Sequence, residues 1–422
     1  MSPAPVETDL DAFVEQAGAW LSQNAPSRRS PKSEQAQVWG EGDFGVAVFH
    51  NLDFDEEKQL LDDLVAWNAR KQQRGYHAVD WPVEFGGLDL TWAHAVAFNR
   101  LEQDYETPRS HELFAVTKRL IAPTIARFGT PEQKVRFVGP LLATETLCCQ
   151  LFSEPGAGSD LAGLACRAVR DGSEWIVNGQ KVWTSGAQFA HWGLLLTRSD
   201  PDVAKHRGMT AFMLPLDHPG VEIRPIKQMS GGSAFNEVFI TDARIPDDLR
   251  IGPEGDGWNV ALTTLSYERD RSEEGPSGAA GGSWEQLLGT ARATGVTGAP
   301  VIRDAMMRMY VHRRVENLLN RRAADLARSG QPGPEGSLGK IFWTEGMRMM
   351  SDVVSLVLGP RLVADVGEWG TYEWNEHVLG APGYRIAGGS DEIQRNIIGE
   401  RVLGLPREPR VDRDLPWKDV PR

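Results

Sequence analysis

The chain has 422 residues, with 58 acidic against 45 basic side chains and a formal charge of −13. That balance argues against the basic stripe of a nucleic-acid binder and against a polybasic membrane anchor, and 41% hydrophobic with 24% charged residues describes a globular chain rather than a disordered one. The length predicts two to three domains, no apolar run nears the roughly 20 residues of a membrane-spanning helix, and Cys148, Cys149 and Cys166 set up no disulfide framework. The acidic N-terminus has no apolar stretch behind a basic start, so a cytoplasmic protein without a secretory signal is expected.

Up to about residue 146 the pattern is helical. Residues 54–71 place Leu60, Leu61, Leu64 and Trp67 at helical spacing, and 92–102 and 113–127 read the same way. Thr130 before Pro131 predicts an N-cap with proline in the first turn. The stretch 25–45 is polar and rich in Ser, Arg and Gly, the composition of a connection. From 147 to 251 the period changes to two. Asn178-Gly179 predicts a tight turn between two half-buried strands over 174–183, and 192–197, 209–216, 221–225 and 237–241 follow as short strands. After residue 252 helices return. Trp258, Leu262 and Leu265 share one face, 301–326 and 337–358 read as long helices, and 275–282 and 329–336 are joints. The expected class is an α+β multidomain fold: a helical domain over 1–146, a β-barrel or sandwich over 147–252, and a helical domain over 253–422.

Chemistry concentrates in three stretches. Leu151-Phe-Ser-Glu-Pro-Gly-Ala-Gly-Ser-Asp160 leaves backbone amides unobstructed at Gly156 and Gly158 and offers the hydroxyls of Ser153 and Ser159, which suits a pyrophosphate or ring heteroatoms as well as a surface turn. Trp183-Thr184-Ser185 sets an aromatic face beside hydroxyls, and Ala387-Gly-Gly-Ser-Asp-Glu-Ile-Gln-Arg-Asn396 opens a helix with glycines. The histidines at 50, 77, 94, 111 and 191 have no paired spacing that predicts a metal site, and no Gly-x-Ser-x-Gly elbow occurs.

At these residues the sequence resembles the acyl-CoA dehydrogenase family. The matching words are Trp81-Pro-Val-Glu-Phe-Gly-Gly87, Ser153-Glu-Pro-Gly-Ala-Gly-Ser-Asp160, Asn178-Gly-Gln-Lys-Val-Trp-Thr-Ser185 and Gly388-Gly-Ser-Asp-Glu-Ile-Gln-Arg-Asn396 with Glu400-Arg401, in family order from about Phe54 to Pro406. The resemblance implies N-terminal helical, central β and C-terminal four-helix-bundle domains with FAD between the last two. It implies that Leu151 and Ser153 lie at the flavin ring, Gly158 and Ser159 at the cofactor phosphates and the thioester's arm, Trp183 against the isoalloxazine and Ser185 near its N5. Gly389, Ser390 and Glu392 would reach the same cofactor from the late turn. Arg292, in Arg292-Ala-Thr-Gly295, is the best match to an Arg-x-x-Phe-Gly segment that grips a neighbouring subunit's FAD, but it lacks the phenylalanine; a second cofactor turn is represented only by Leu356-Val-Leu-Gly-Pro360.

The implied reaction removes a proton α to a thioester and a hydride from the β carbon, giving a trans-2-enoyl-CoA, with electrons passed to an electron-transfer flavoprotein. Many members carry the base where this sequence has Gly388, which has no side chain to act. The isovaleryl and long-chain branches place it before an arginine on the first long helix of the C-terminal domain, and here Glu268-Arg269 stands at that place. Glu268 is therefore the expected base, Arg269 a substrate contact, and the Gly388 N–H a donor to the thioester oxygen. Helical spacing puts Arg269 on the stripe of Trp258, Leu262 and Leu265, with Glu268 at its edge, where desolvation would raise its pKa. The family implies a homotetramer or an α2β2 assembly of two different subunits. Two alternatives stay open at this level: a catalytically silent FAD-sharing subunit, and a flavin oxidase or monooxygenase on the same fold.

Overall fold

The computed structural model describes residues 8–28, 45–269, 281–328, 336–364, 371–409, 412 and 414–421, without the side chains of 268, 269, 324, 327, 328 and 371–373. The connection expected at 25–45 and the joints at 275–282 and 329–336 fall largely outside the described residues.

Helices α1 (Leu10–Asn24), α2 (Phe54–Gln72), α3 (Trp92–Glu102), α4 (Glu112–Ala115), α5 (Ala122–Phe128) and α6 (Pro131–Leu142) come first. Their starts are written in the sequence: Asp53 and Glu56 cap α2 reciprocally, and Thr130 and Gln133 do so for α6 with Pro131 in the first turn. The stretch expected as one helix over 113–127 is broken by a π-helical turn, Val116–Ile121, between α4 and α5. Phe13, Leu21, Trp67, Tyr76 and Phe98 form the core of the first helices, while α5 and α6 bury Ile125, Phe137 and Leu141 against the sheet that follows.

That sheet has eight strands: β1 (Cys148–Leu151), β2 (Arg167–Asp171), β3 (Glu174–Ser185), β4 (Trp192–Arg198), β5 (Met209–Pro215), β6 (Val221–Ile226), β7 (Phe235–Pro246) and β8 (Arg250–Ile251). The order is β6-β7-β3-β2-β4-β5-β8, with β1 parallel to β4. The expected hairpin at Asn178-Gly179 is not formed. β3 runs unbroken through these residues, and the reversal occurs earlier, where Gly172 supplies the left-handed φ of +64° between β2 and β3. Asn178 instead clamps a bulge in the β3–β7 pairing: it accepts from the Asp242 N–H at 2.9 Å and donates to the Asp242 carboxylate at 3.0 Å. Gly179 is required by close packing, since a Cβ there would lie 2.6 Å from the Cys166 sulfur.

The C-terminal part holds α7 (Gly257–Arg269), α8 (Trp284–Ala293), α9 (Pro300–Arg328), α10 (Gly336–Leu358), α11 (Thr371–Tyr384) and α12 (Asp391–Ile397). Leu287, Met309, Met350, Val354 and Trp374 centre its core. A segment from the N-terminal third joins it: Val46 is buried in this core, and Val48 packs with Trp343, Met347 and Ala381. The architecture is an α+β multidomain fold, helices on either side of a central mixed sheet in chain order. Among the described residues no helix is long and apolar enough to cross a membrane.

Candidate functional site

The end of β3 is shaped to present an aromatic face. A register shift against β7 between Lys181 and Thr184 throws Trp183 out of the ladder at φ +62°, leaving the indole 60% exposed. For a bulky L residue that backbone conformation costs about 1–2 kcal/mol, which the surrounding sheet must offset. Thr184, one residue on, is buried, and its hydroxyl finds no hydrogen-bond partner among the described residues. Ser185 is half-buried beside them.

The 151–160 stretch is held against this strand. Leu151 is buried in β1, and the Val182 N–H donates to the Ser153 carbonyl at 3.0 Å, so Ser153 and Trp183 are brought together. Glu154 and Ala157 exchange backbone hydrogen bonds of 3.0 Å each, while Gly158 and Ser159 are exposed. Beneath the loop lies an ion pair. Lys181, fully buried, donates to Glu154 at 2.7 Å and to the Phe152 carbonyl at 3.1 Å, and Glu154 also accepts from the amides of Ala165 and Cys166 at 2.7 and 2.9 Å. Sequence reading missed this pair because lysines are rarely buried, although Lys181 has the inward parity of Trp175, Val177 and Gly179 on an unbroken strand.

Aromatic contacts lead from Trp183 to the C-terminal helices. Trp183 meets Phe235 edge-on at 6.0 Å between ring centroids, Phe235 meets Phe49 at 5.3 Å, and Phe49 stacks on Tyr384 at 5.0 Å. Tyr384 ends α11 three residues before the 387–390 turn. In that turn Gly388 and Gly389 sit at φ +64° and +85°, Gln394 donates to both their carbonyls at 2.9 and 3.4 Å, and the Ser390 hydroxyl caps α12. Asp391 is buried and anchors the turn to α10 and its own flank, accepting from Lys340 at 3.2 Å, Thr344 at 3.0 Å and Arg385 at 2.7 Å. Burial works against its charge, and these donors outweigh it, so its carboxyl is held below the usual range. Glu392 is exposed.

Helices α7 and α8 carry two further expected groups. α7 turns Val260, Ala261 and Thr264 inward, with Thr264 3.0 Å from the Thr124 hydroxyl, whereas Leu262 is 41% exposed. The most deeply buried side is therefore that of 260, 261 and 264, while Trp258 and Leu265 of the expected stripe are half-buried against the same core and only Leu262 points away from it. Position 268 follows Thr264 by one helical turn; the side chains of Glu268 and Arg269 lie outside the described residues. Arg292 is exposed in the last turn of α8, whose buried Leu287 and Ala291 face the C-terminal core rather than the core under 151–185.

Other chemistries find little support. Burial pushes the thiols of Cys149 and Cys166 up to about 12 and 11 and raises that of Cys148 well above its ordinary value, so none offers a thiolate. His94, His111 and His191 are engaged in hydrogen bonds, and no metal-ligating group of His, Cys, Asp or Glu occurs among the described residues. What the site offers is a rigid aromatic face, an unused buried hydroxyl and a glycine-bearing loop, which suit a planar heteroaromatic ring with a hydrogen-bonding edge and a polar tail.

Comparison with known proteins agrees with this arrangement. Residues 49–145, 149–243 and 255–403 match the N-terminal, middle and C-terminal domains of acyl-CoA dehydrogenase, respectively. The chain is similar to "Acyl-CoA dehydrogenase IpdE1" of Mycobacterium tuberculosis (strain ATCC 25618 / H37Rv), 37% identical over 95% of this chain and 99% of that protein. It is 28% identical to the human mitochondrial short-chain specific acyl-CoA dehydrogenase, over 78% of this chain and 80% of that one. Among solved structures, a single-residue variant of the "Tcur3481-Tcur3483 steroid ACAD" superposes with a TM-score of 0.72 at 25% identity, covering 94% of this chain and all of that one (100%). The family's flavin fits the exposed Trp183 face and the orphaned Thr184 hydroxyl. The chain belongs to the acyl-CoA dehydrogenase family, flavin-dependent oxidoreductases that act on a CH–CH bond.

Proposed function

We propose that this chain binds FAD and dehydrogenates an acyl-CoA thioester between its α and β carbons to the trans-2-enoyl-CoA, passing the electrons to an electron-transfer flavoprotein. The observation that carries the proposal is the Trp183 face, held outward on a strained bulge next to Ser153 and linked by ring contacts to Tyr384, three residues before the 387–390 turn. Leu151, Ser153, Trp183 and Ser185 would hold the ring, Gly158 and Ser159 the phosphates, and Gly389, Ser390 and Glu392 would close the cofactor from the other side, with Arg292 reaching a neighbouring subunit. FAD, when bound, supplies the acceptor for the hydride that leaves the β carbon.

The chain's own part is proton chemistry and positioning. Glu268 takes the α proton, and its place one helical turn beyond the buried Thr264 supports a base shielded from water. The Gly388 N–H donates to the thioester oxygen as negative charge develops there, a role that needs no side chain. Arg269 and Ser159 meet the CoA arm. Similarity at 25% identity to the Tcur3481-Tcur3483 steroid ACAD supports a pair of different subunits, α2β2, and a bulky acyl group; a homotetramer is the other arrangement.

The test is flavin bleaching by straight, branched and steroidal acyl-CoAs on the purified chain, with the FAD-to-chain ratio measured on the same sample. Bleaching that disappears in Glu268→Gln while FAD remains is the expected result. A colourless chain that gains FAD only with a second subunit refutes a stand-alone enzyme, and peroxide formed without an added acceptor points to an oxidase.

A further inference from the structure

The family match ends at residue 403, yet the chain returns to the central sheet. Pro416 bridges Ala204, the Trp417 N–H donates to the Val203 carbonyl at 2.8 Å, and that of Lys418 donates to Pro201 at 3.1 Å. The Trp417 indole N–H reaches the Gly163 carbonyl at 3.2 Å, and its ring lies 5.0 Å from the Arg198 guanidinium. Arg198 is buried and donates to the carbonyls of Ala162 and Lys205, both at 2.6 Å. Lys205, also buried, donates to both carboxylate oxygens of Asp160 at 3.1 and 3.0 Å and to Asp412 at 2.6 Å.

The tail therefore closes a clamp on one loop. Within 154–163, Ala157, Leu161 and Ala162 are buried in the core, while Gly156 and Gly158 stand where a side chain would meet open space, so the loop's exposed residues 158–160 are left to be fixed by polar contacts. Its inner end is held by Glu154 and Lys181. Its outer end is held by Asp160 through Lys205 and Asp412, and by Gly163 through Trp417. Asp160 follows Ser159 directly. A loop already fixed in its binding shape does not lose that freedom when ligand arrives, and affinity rises accordingly.

We propose that the C-terminal strap, residues 412 and 414–420, sets the affinity for the CoA arm, with Lys205 and Trp417 as positioning residues that touch no reacting atom. This rests on the placement of Ser159 against that arm. The strap fixes the outer end of the 154–163 loop, so removing it weakens ground-state binding and leaves the chemical step alone.

Coenzyme A binding is measured by calorimetry on the flavin-loaded enzyme for the parent, a chain ending at Pro409, Lys205→Met, Asp412→Asn and Lys205→Arg. The truncated chain and Lys205→Met are expected to bind about tenfold more weakly with unchanged flavin content and unchanged kcat, and Lys205→Arg to recover most of the loss because it keeps the charge. Amide hydrogen exchange over 154–163 is expected to quicken in the same two variants. If exchange quickens and coenzyme A affinity stays at the parent value, or if flavin is lost along with the tail, the strap proposal fails. A parent that does not bind coenzyme A refutes the Ser159 placement itself, which distinguishes that failure from a failure of the strap. Should the truncated chain not fold, Lys205→Met and Asp412→Asn decide.

Discussion

Lys181→Met is the sharpest test of how the site is built. It removes a fully buried ammonium and leaves Glu154, 9% exposed, without its cation. Breaking a buried ion pair by deleting one partner costs about 3–5 kcal/mol. Glu154 keeps two amide donors at 2.7 and 2.9 Å, which offset part of its desolvation, while the Phe152 carbonyl loses its donor, so we place the loss near the lower end, about 3 kcal/mol. At roughly 2–4 °C per kcal/mol for a domain of this size class, the melting temperature of the flavin-free chain should fall by roughly 6–12 °C. The double variant Lys181→Met with Glu154→Gln should recover part of the loss, because an amide side chain needs no counter-charge and can still accept from one of the two N–H groups. A fall worth under about 1 kcal/mol, or a double variant no better than the single one, would show that the pair does not hold the 152–157 loop and would leave the Val182 N–H bond to Ser153 as its tie to β3.

Burial holds His77 and His377 at about 4, against an ordinary value of 6.5. Between those values the unfolded chain takes up protons that the folded chain refuses, so stability falls as pH drops from about 6.5 towards 4, by at most roughly 3 kcal/mol for each histidine; denaturant midpoints from pH 7.5 to 4.5 check this, and a flat profile contradicts it. Gly179→Ala should destabilise by about 1–3 kcal/mol, since its Cβ would sit 2.6 Å from the Cys166 sulfur and 2.7 Å from the Cys166 Cα, and Cys166→Ala should relieve only the sulfur contact, as denaturation of the single and double variants would show.

Periodicity made most of the fold legible. Trp92–Glu102 is a helix at the expected bounds, and the strands at 192, 209 and 221 begin where alternation begins. Local signals failed where tertiary packing overruled them. Asn-Gly is a strong turn pair, but Gly179 is wanted for the approach of Cys166, and Gly172 already supplies the turn. The same misreading hid Lys181, whose inward parity is apparent only if β3 is continuous. On α7 the apolar residues Trp258, Leu262 and Leu265 outline a plausible stripe, yet the buried side includes Thr264, a polar residue accommodated through its bonds to Thr124 and the Val260 carbonyl. Hydrophobicity alone cannot rank a satisfied threonine above an exposed leucine. Phe49, Phe235 and Tyr384 lie far apart in sequence, so no local pattern could have assembled them.

The geometry of the late turn bears on where a base can stand. Gly388 and Gly389 are both left-handed, and Gln394, almost wholly buried, is committed to their carbonyls. A side chain at 388 would carry a conformational cost of roughly 1–2 kcal/mol, and at 389 a Cβ would also come within 2.8 Å of the Gln394 amide. A carboxylate placed at 388 would thus strain the same turn whose N–H the proposed reaction uses. In the proposed reaction, a base supplied from α7 would separate the two tasks: the turn is fixed by Gln394 and Asp391, and the proton acceptor would be positioned by a different helix, packed through Thr264 on Thr124. Oxyanion contact and proton removal then depend on independent parts of the core, so a Glu268→Gln change should stop the reaction without loosening the turn.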